Sequence, residues 1–165
     1  MEMENKSLEI TLRPYRLSDA EDFSKYTGDE TVTQFTRWNT FKSKEEVLSY
    51  INDVCIPHPY CRSICINDCS IGMVFVKPQD GDDKCRAEIG HALAAEYWGQ
   101  GILIRAVKMA ITEGFKEFTD LVRMQALVLI ENKASQRVLE KLGFHMEGLL
   151  REYTIHKESP MLMTS

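Results

Sequence analysis

Apolar residues recur along this chain with two periods, and the points where the period changes mark its elements. Over 9–17, Ile10 and Leu12 alternate with polar neighbours, which predicts a first strand with Pro14 at an edge or bulge. Ser18 with Glu21 three residues later has the form of a capping box, so a helix is expected as far as Tyr26, broken at Gly28 and followed by a short helical piece over 32–35. Ser43 and Glu46 make a second box, opening a helix with Val47, Leu48, Ile51 and Val54 on its apolar face and Pro57 and Pro59 at its end. Segments 60–66 and 70–77 read as two strands of a hairpin joined by the polar turn Asn67-Asp68-Cys69.

The middle of the chain carries the strongest change of period. Residues 87–95, with Ile89 and Leu93 among small neighbours, read as a strand. From Ile102 the apolar positions Leu103, Ala106, Val107, Ala110, Ile111, Phe115 and Phe118 recur at helical spacing, with Arg105, Lys108, Glu113, Lys116 and Glu117 opposite. The nearly continuous apolar run over 121–130 suits a strand covered on both faces, so strand, crossover helix and strand imply a parallel pair. Asn132 then caps a helix to Leu142, with Val138, Leu139 and Leu142 buried and Gly143 as its stop. Residues 144–155 and 161–163 read as a closing hairpin. The fold class expected is a mixed α/β domain: one largely antiparallel sheet of six to seven strands, helices on both faces, and one splayed parallel pair flanking 98–118. A ligand crevice belongs at the carboxyl ends of that pair.

Between strand and helix lies Trp98-Gly99-Gln100-Gly101-Ile102. Its glycines permit a tight turn, and the free N–H groups at a helix start favour an anion such as phosphate. Loop glycines without a ligand are the alternative reading. The turn has neither the G-x-x-x-x-G-K-[ST] of a nucleotide P-loop nor the third glycine of the dinucleotide fingerprint.

Composition narrows the classes further. A length of 165 residues with 44% hydrophobic positions fits one domain with a sizeable core. A net charge of −5 argues against a general nucleic-acid binder and tolerates cationic substrates. The start of the chain is polar and acidic, unlike a signal or transit peptide, and no apolar run approaches membrane-spanning length. Five cysteines without a C-x-x-C pair suit reduced thiols, hence a cytoplasmic or nuclear setting. Cys61, Cys65 and Cys69 are regularly spaced, yet no histidine follows at ligand spacing, so no metal is expected.

Taken with Asn132-Lys133-Ala134-Ser135, the run from Val138 to Phe144 and Glu147-Gly148, the sequence from Tyr97 to Ile102 resembles the GNAT superfamily of N-acetyltransferases. Within it the resemblance is to the subgroup of ribosomal-protein N-terminal alanine and serine acetyltransferases, and it covers about 9–156. It implies a tail over 1–8 and a GNAT domain over 9–165, with acetyl-coenzyme A as cosubstrate. The pyrophosphate is implied to rest on backbone N–H groups of Gly99, Gln100, Gly101, Ile102 and Leu103, next to Trp98. Pantetheine is implied to run past Leu93 and Ala94 toward Asn132. This agrees with ordinary chemistry, because an extended amide chain can pair with an opened strand.

Acetyl transfer from a thioester to an amine needs a neutral amine, a stabilised oxyanion and a proton for the thiolate. By resemblance Glu88 is the candidate base, acting through water; an ion pair with Arg86 or a neighbour is the alternative. Ser135, on the inward face of its helix, is the candidate proton donor, or else a first-turn serine bonding its own backbone. The oxyanion falls to a backbone N–H near Leu93. His91 alternates opposite Glu88, so it faces away from that carboxylate and reads as a packed histidine. Lys133, Arg137 and Lys141 form a stripe that is either a solvated face or a partner for the ribose phosphate.

Two positions depart from the family pattern: Leu103 replaces a usual small residue, and Ser159-Pro160 a usual acidic one. The acceptor expected is a primary amine, foremost a protein or peptide α-amino group, whose pKa of about 8 leaves a larger neutral fraction than lysine near 10.4. Arg37 and Trp38 are candidate acceptor contacts or loop packing. Alternatives are an inactive acyl-coenzyme A sensor and an acetyltransferase of polyamines or other small amines. The partners expected are acetyl-coenzyme A and the amine, without nucleic acid or membrane, in a monomer or homodimer.

Overall fold

The alternating segments pair into one sheet. In the computed structural model, which describes residues 8–153 and 160–164, the strands are β1 (Thr11–Pro14), β2 (Cys61–Ile66), β3 (Cys69–Pro78), β4 (Arg86–Leu93), β5 (Arg123–Leu129), β6 (His145–Leu149) and β7 (Pro160–Thr164). They lie in the order β1-β2-β3-β4-β5-β7-β6. Among the described residues, only the pairing of β4 with β5 is parallel. Pro14 ends the edge strand, where its missing N–H costs the ladder least. The β2–β3 turn is Asn67-Asp68, at φ 50 and 62, and Cys69 belongs to β3 rather than to the turn. Arg13 Nε donates to Asp68 Oδ1 at 2.7 Å and ties that turn to β1.

Among the described residues, five α-helices flank the sheet: α1 (Ala20–Thr27), α2 (Glu30–Thr33), α3 (Lys44–Tyr50), α4 (Ile102–Glu117) and α5 (Lys133–Lys141). The Ser18–Glu21 box is not formed. Asp19 accepts instead from the Arg16 N–H at 2.8 Å and pairs with Arg13 at 2.7 Å, because the Arg13 guanidinium, side chain 14% exposed, needs a carboxylate beside it. Half of the second box is present: Ser43 Oγ accepts from the Glu46 N–H at 3.2 Å, but the Glu46 carboxylate takes the Lys42 N–H. Beyond Tyr50 the helix widens into a π-turn over Ile51–Cys55. Each residue there advances less around the axis, which carries Val54 off the apolar face and leaves it 41% exposed.

The two faces of the sheet hold two cores. On one, α4 and α5 cover Ile89, Leu93, Met124, Ala126 and Val128; on the other, α1 and α3 cover Met73 and Ala92 around Phe23, Tyr26 and Ile51. Helix α4 buries Ile102, Ala106, Val107, Ala110 and Gly114. A Cβ at Gly114 would lie 3.2 Å from Met124 and 3.3 Å from Val76, so the bare glycine takes the facing position and Phe115 turns outward, contrary to the expected stripe. Nor is β5 buried on both faces. Met124, Ala126 and Val128 are buried while Gln125, Leu127 and Leu129 are half-buried, since the α1–α3 core takes its buried strand residues from β2, β3 and β4. The closing hairpin is β6 with β7, and β6 is shorter than expected; Ser159 and the end of the expected first strand lie outside the described residues.

Candidate active site

Strands β4 and β5 pair only at Arg86–Arg123, Ala87–Met124 and Glu88–Gln125, although β4 continues to Leu93 and β5 to Leu129. The parallel pair therefore splays, as expected. The Gln79 N–H donates to the Arg86 carbonyl at 3.0 Å and the Ala94 N–H to the Ile71 carbonyl at 2.8 Å. By strand alternation, even-numbered peptide groups of β4 bond β3 and those of His91 and Leu93 face the open wedge. Trp98 Nε1 donates to the Leu93 carbonyl at 2.8 Å, pinning the turn to the end of the strand.

Gly99 and Gly101 both stand at φ 74, and a Cβ on either would meet nothing within 4 Å. Conformation, not space, is why glycine sits there. Gly101 is the N-cap of the sixteen-residue α4, with no side-chain cap and no acidic residue in the first turn. The first helical bond runs from the Arg105 N–H to the Gly101 carbonyl at 3.4 Å. That leaves the N–H groups of Ile102, Leu103 and Ile104 without intrahelical acceptors at the positive end of the helix dipole.

This end opens on a cavity of about 560 Å³. Of the residues expected to hold a cofactor, Leu93, Trp98, Gly99, Gly101, Ile102 and Leu103 line it, as do Asn132 and Ser135 across the wedge. Ala94 and Gln100 do not: the Ala94 N–H is bonded to Ile71, and Gln100 Nε2 donates to the Glu96 carbonyl at 3.1 Å. Leu103 packs against the main core while lining the cavity. Lys133, Arg137 and Lys141 are exposed on its rim, so the charged stripe is both solvated and adjacent to the cavity.

Ser135 stands at the centre of a small polar group. Asn132 Oδ1 accepts from the Ser135 N–H at 3.2 Å, Asn132 Nδ2 donates to Ser135 Oγ at 2.9 Å, and His91 Nε2 lies 3.1 Å from the same oxygen. Burial pushes the His91 imidazole down to about 4, and its Nδ1 is buried without a hydrogen-bond partner. The sequence gives His91 its direction, away from Glu88; it does not give its partner, which comes from a helix 44 positions along. Glu88 lies on the opposite face, its side chain 17% exposed, 3.4 Å from Arg37. Arg86 pairs with Asp83 instead. The role of Arg37 as the companion of Glu88 carries no local signal, because it depends on how the α2–α3 connection folds back.

A strand pair opened beside an uncapped helix end, with a serine across the gap, can hold an extended amide chain that ends in phosphates. Over residues 9–145 the sequence matches the acetyltransferase (GNAT) domain family. The chain belongs to the GNAT acetyltransferases. It is 32% identical to the uncharacterized N-acetyltransferase p20 of Bacillus licheniformis over 87% of this chain and 83% of that one. A shorter match, 36% identical over 43% of this chain and 38% of the relative, is to spermidine N(1)-acetyltransferase of Escherichia coli. In structure it resembles Mycobacterium smegmatis RimJ in complex with CoA-disulfide, with a TM-score of 0.79 and 23% identity over 94% of this chain and 81% of that one. This GNAT protein is an acetyl-coenzyme A-dependent N-acetyltransferase. Among the described residues, no helix is long and apolar enough to cross a membrane, and no three His, Cys, Asp or Glu side chains gather as metal ligands.

Proposed function

We propose that this GNAT enzyme acetylates a primary α-amino group of a protein or peptide by direct transfer in a ternary complex. The observation that carries the reading is the meeting, in one cavity, of the Leu93 peptide group, the open N-terminus of α4 and Ser135. Coenzyme A pyrophosphate rests on the N–H groups of Gly99, Gly101, Ile102 and Leu103, pantetheine runs along Leu93 toward Asn132, and the rim cations take the ribose phosphate. Glu88, on the face shared with Arg37, takes the ammonium proton through water. The amine nitrogen then bonds the thioester carbonyl carbon, whose oxyanion is held by the Leu93 N–H, and the nitrogen, now cationic, loses its second proton to water as the oxyanion collapses. As the C–S bond breaks, the thiolate receives a proton from Ser135, which is reprotonated from solvent.

A second reading, a polyamine or other small amine as acceptor, draws on an open groove lined by Glu30, Glu46 and Asp53 with Phe41 and Tyr50, and on the spermidine acetyltransferase relative. Calorimetry with acetyl-coenzyme A, followed by thiol release against a panel of peptides and amines, tests both. Peptides with free N-termini are expected to release thiol. Release with polyamines alone assigns the second reading, and no binding of acetyl-coenzyme A overturns both.

A further inference from the structure

Ser135 Oγ has one proton to give and two lone pairs to fill. The orientation of the Asn132 amide is fixed, because its Oδ1 faces the Ser135 backbone N–H, which can only donate. Asn132 Nδ2 is therefore a donor to Oγ and fills one lone pair. What the remaining lone pair and the proton do depends on His91, whose Nε2 is 3.1 Å away. If the imidazole proton were on Nδ1, a buried N–H would be left with no acceptor, and the serine proton would be drawn to Nε2, away from the cavity. If it is on Nε2, the partnerless atom is a bare lone pair, which proteins tolerate more readily than an orphaned N–H. The serine then accepts twice and keeps its proton for whatever occupies the cavity it lines.

We propose that His91 is a positioning residue for transfer: as the neutral Nε2–H tautomer it donates to Ser135 Oγ, and with Asn132 it leaves the serine proton free to face the departing sulfur. This rests on the reading of Ser135 as the group that meets that sulfur. The charged groups around His91 are those of the cavity rim, Glu131, Lys133, Arg137 and Lys141, while Glu88 is on the opposite face of β4. Burial alone accounts for the low basicity of His91, so at neutral pH it acts as a fixed dipole and not as an acid.

Nitrogen-15 NMR of the imidazole in the wild-type protein is expected to show the Nε2–H tautomer at neutral pH, a measurement that needs no variant to fold. His91→Phe removes the donor and is expected to lower kcat roughly tenfold, the worth of about one hydrogen bond, while the KM for acetyl-coenzyme A stays within about twofold. His91→Gln, whose amide can reach Oγ, restores most of kcat. On a Ser135→Ala background, His91→Phe costs nothing further. An Nδ1–H tautomer, an unchanged kcat in His91→Phe, or a loss that multiplies on the Ser135→Ala background overturns the inference while Ser135→Ala remains impaired. Full turnover by Ser135→Ala overturns the reading of Ser135 and this inference with it.

Discussion

At the scale of single residues the two faces of β4 separate two tasks. Glu88 and His91 point to opposite sides of one strand, so in the proposed reaction strand alternation alone keeps proton removal from the amine apart from handling of the sulfur. Glu88→Gln is expected to lower kcat/KM roughly a hundredfold, the ordinary worth of general base catalysis, and to leave only the acidic limb that belongs to the amine itself. Unchanged turnover across the pH range in that variant removes Glu88 from the mechanism. His91 links the site to stability. With its imidazole pushed down to about 4, the unfolded chain binds a proton between about pH 4 and the ordinary 6.5 that the folded one refuses. Stability therefore rises with pH across that window and is lost as pH falls, by at most about 3.4 kcal/mol. Urea midpoints at about pH 7 and pH 4.5 read it, and His91→Gln, which does not titrate, flattens the difference.

At the scale of elements, the turn into α4 is where local sequence is most legible, because its requirement is local: two glycines at φ 74 and a helix start with no competing side chain. Element ends elsewhere were less legible for tertiary reasons. Asp19 answers to Arg13 on β1 and not to the chain beside it, and Phe115 is displaced by the close approach that Gly114 permits. The turn's two contributions can be separated by substitution. Gly101→Ala forces a side chain into the left-handed region and is expected to cost about 1 kcal/mol, with a several-fold rise in the KM for acetyl-coenzyme A as the first-turn N–H groups shift. Gly81, at φ 59 in the loop before β4 and with nothing near its Cβ direction, is the matched control. Gly81→Ala is expected to lose similar stability, read by thermal unfolding, and to leave that KM unchanged. Equal KM values in the two variants count against the turn as the phosphate site.

At the scale of the whole molecule, the sheet order was only partly legible. Strand, crossover and strand announce the parallel pair, whereas the insertion of β7 between β5 and β6 is set by pairings such as Ala126 with Met163 and Met146 with Met163, which no local period encodes. Charge is a property of the same scale. The chain carries a net −5, so a multiply charged anion such as coenzyme A is repelled at long range; in the proposed binding mode Lys133, Arg137 and Lys141 on the cavity rim offset that repulsion. All three are exposed, so salt screens them within a Debye length of about 8 Å at physiological strength, and together they are worth about 1 kcal/mol. The KM for acetyl-coenzyme A is thus expected to rise with added salt in the wild-type enzyme. Replacing all three by alanine is expected to raise KM roughly five- to tenfold at low salt and to reverse the trend, since screening then weakens only the repulsion. The kcat at saturating acetyl-coenzyme A should not move, because in the proposed pose the rim meets the phosphates and not the reacting carbon. A triple variant whose KM and salt response match the wild type returns the stripe to a plain solvated face.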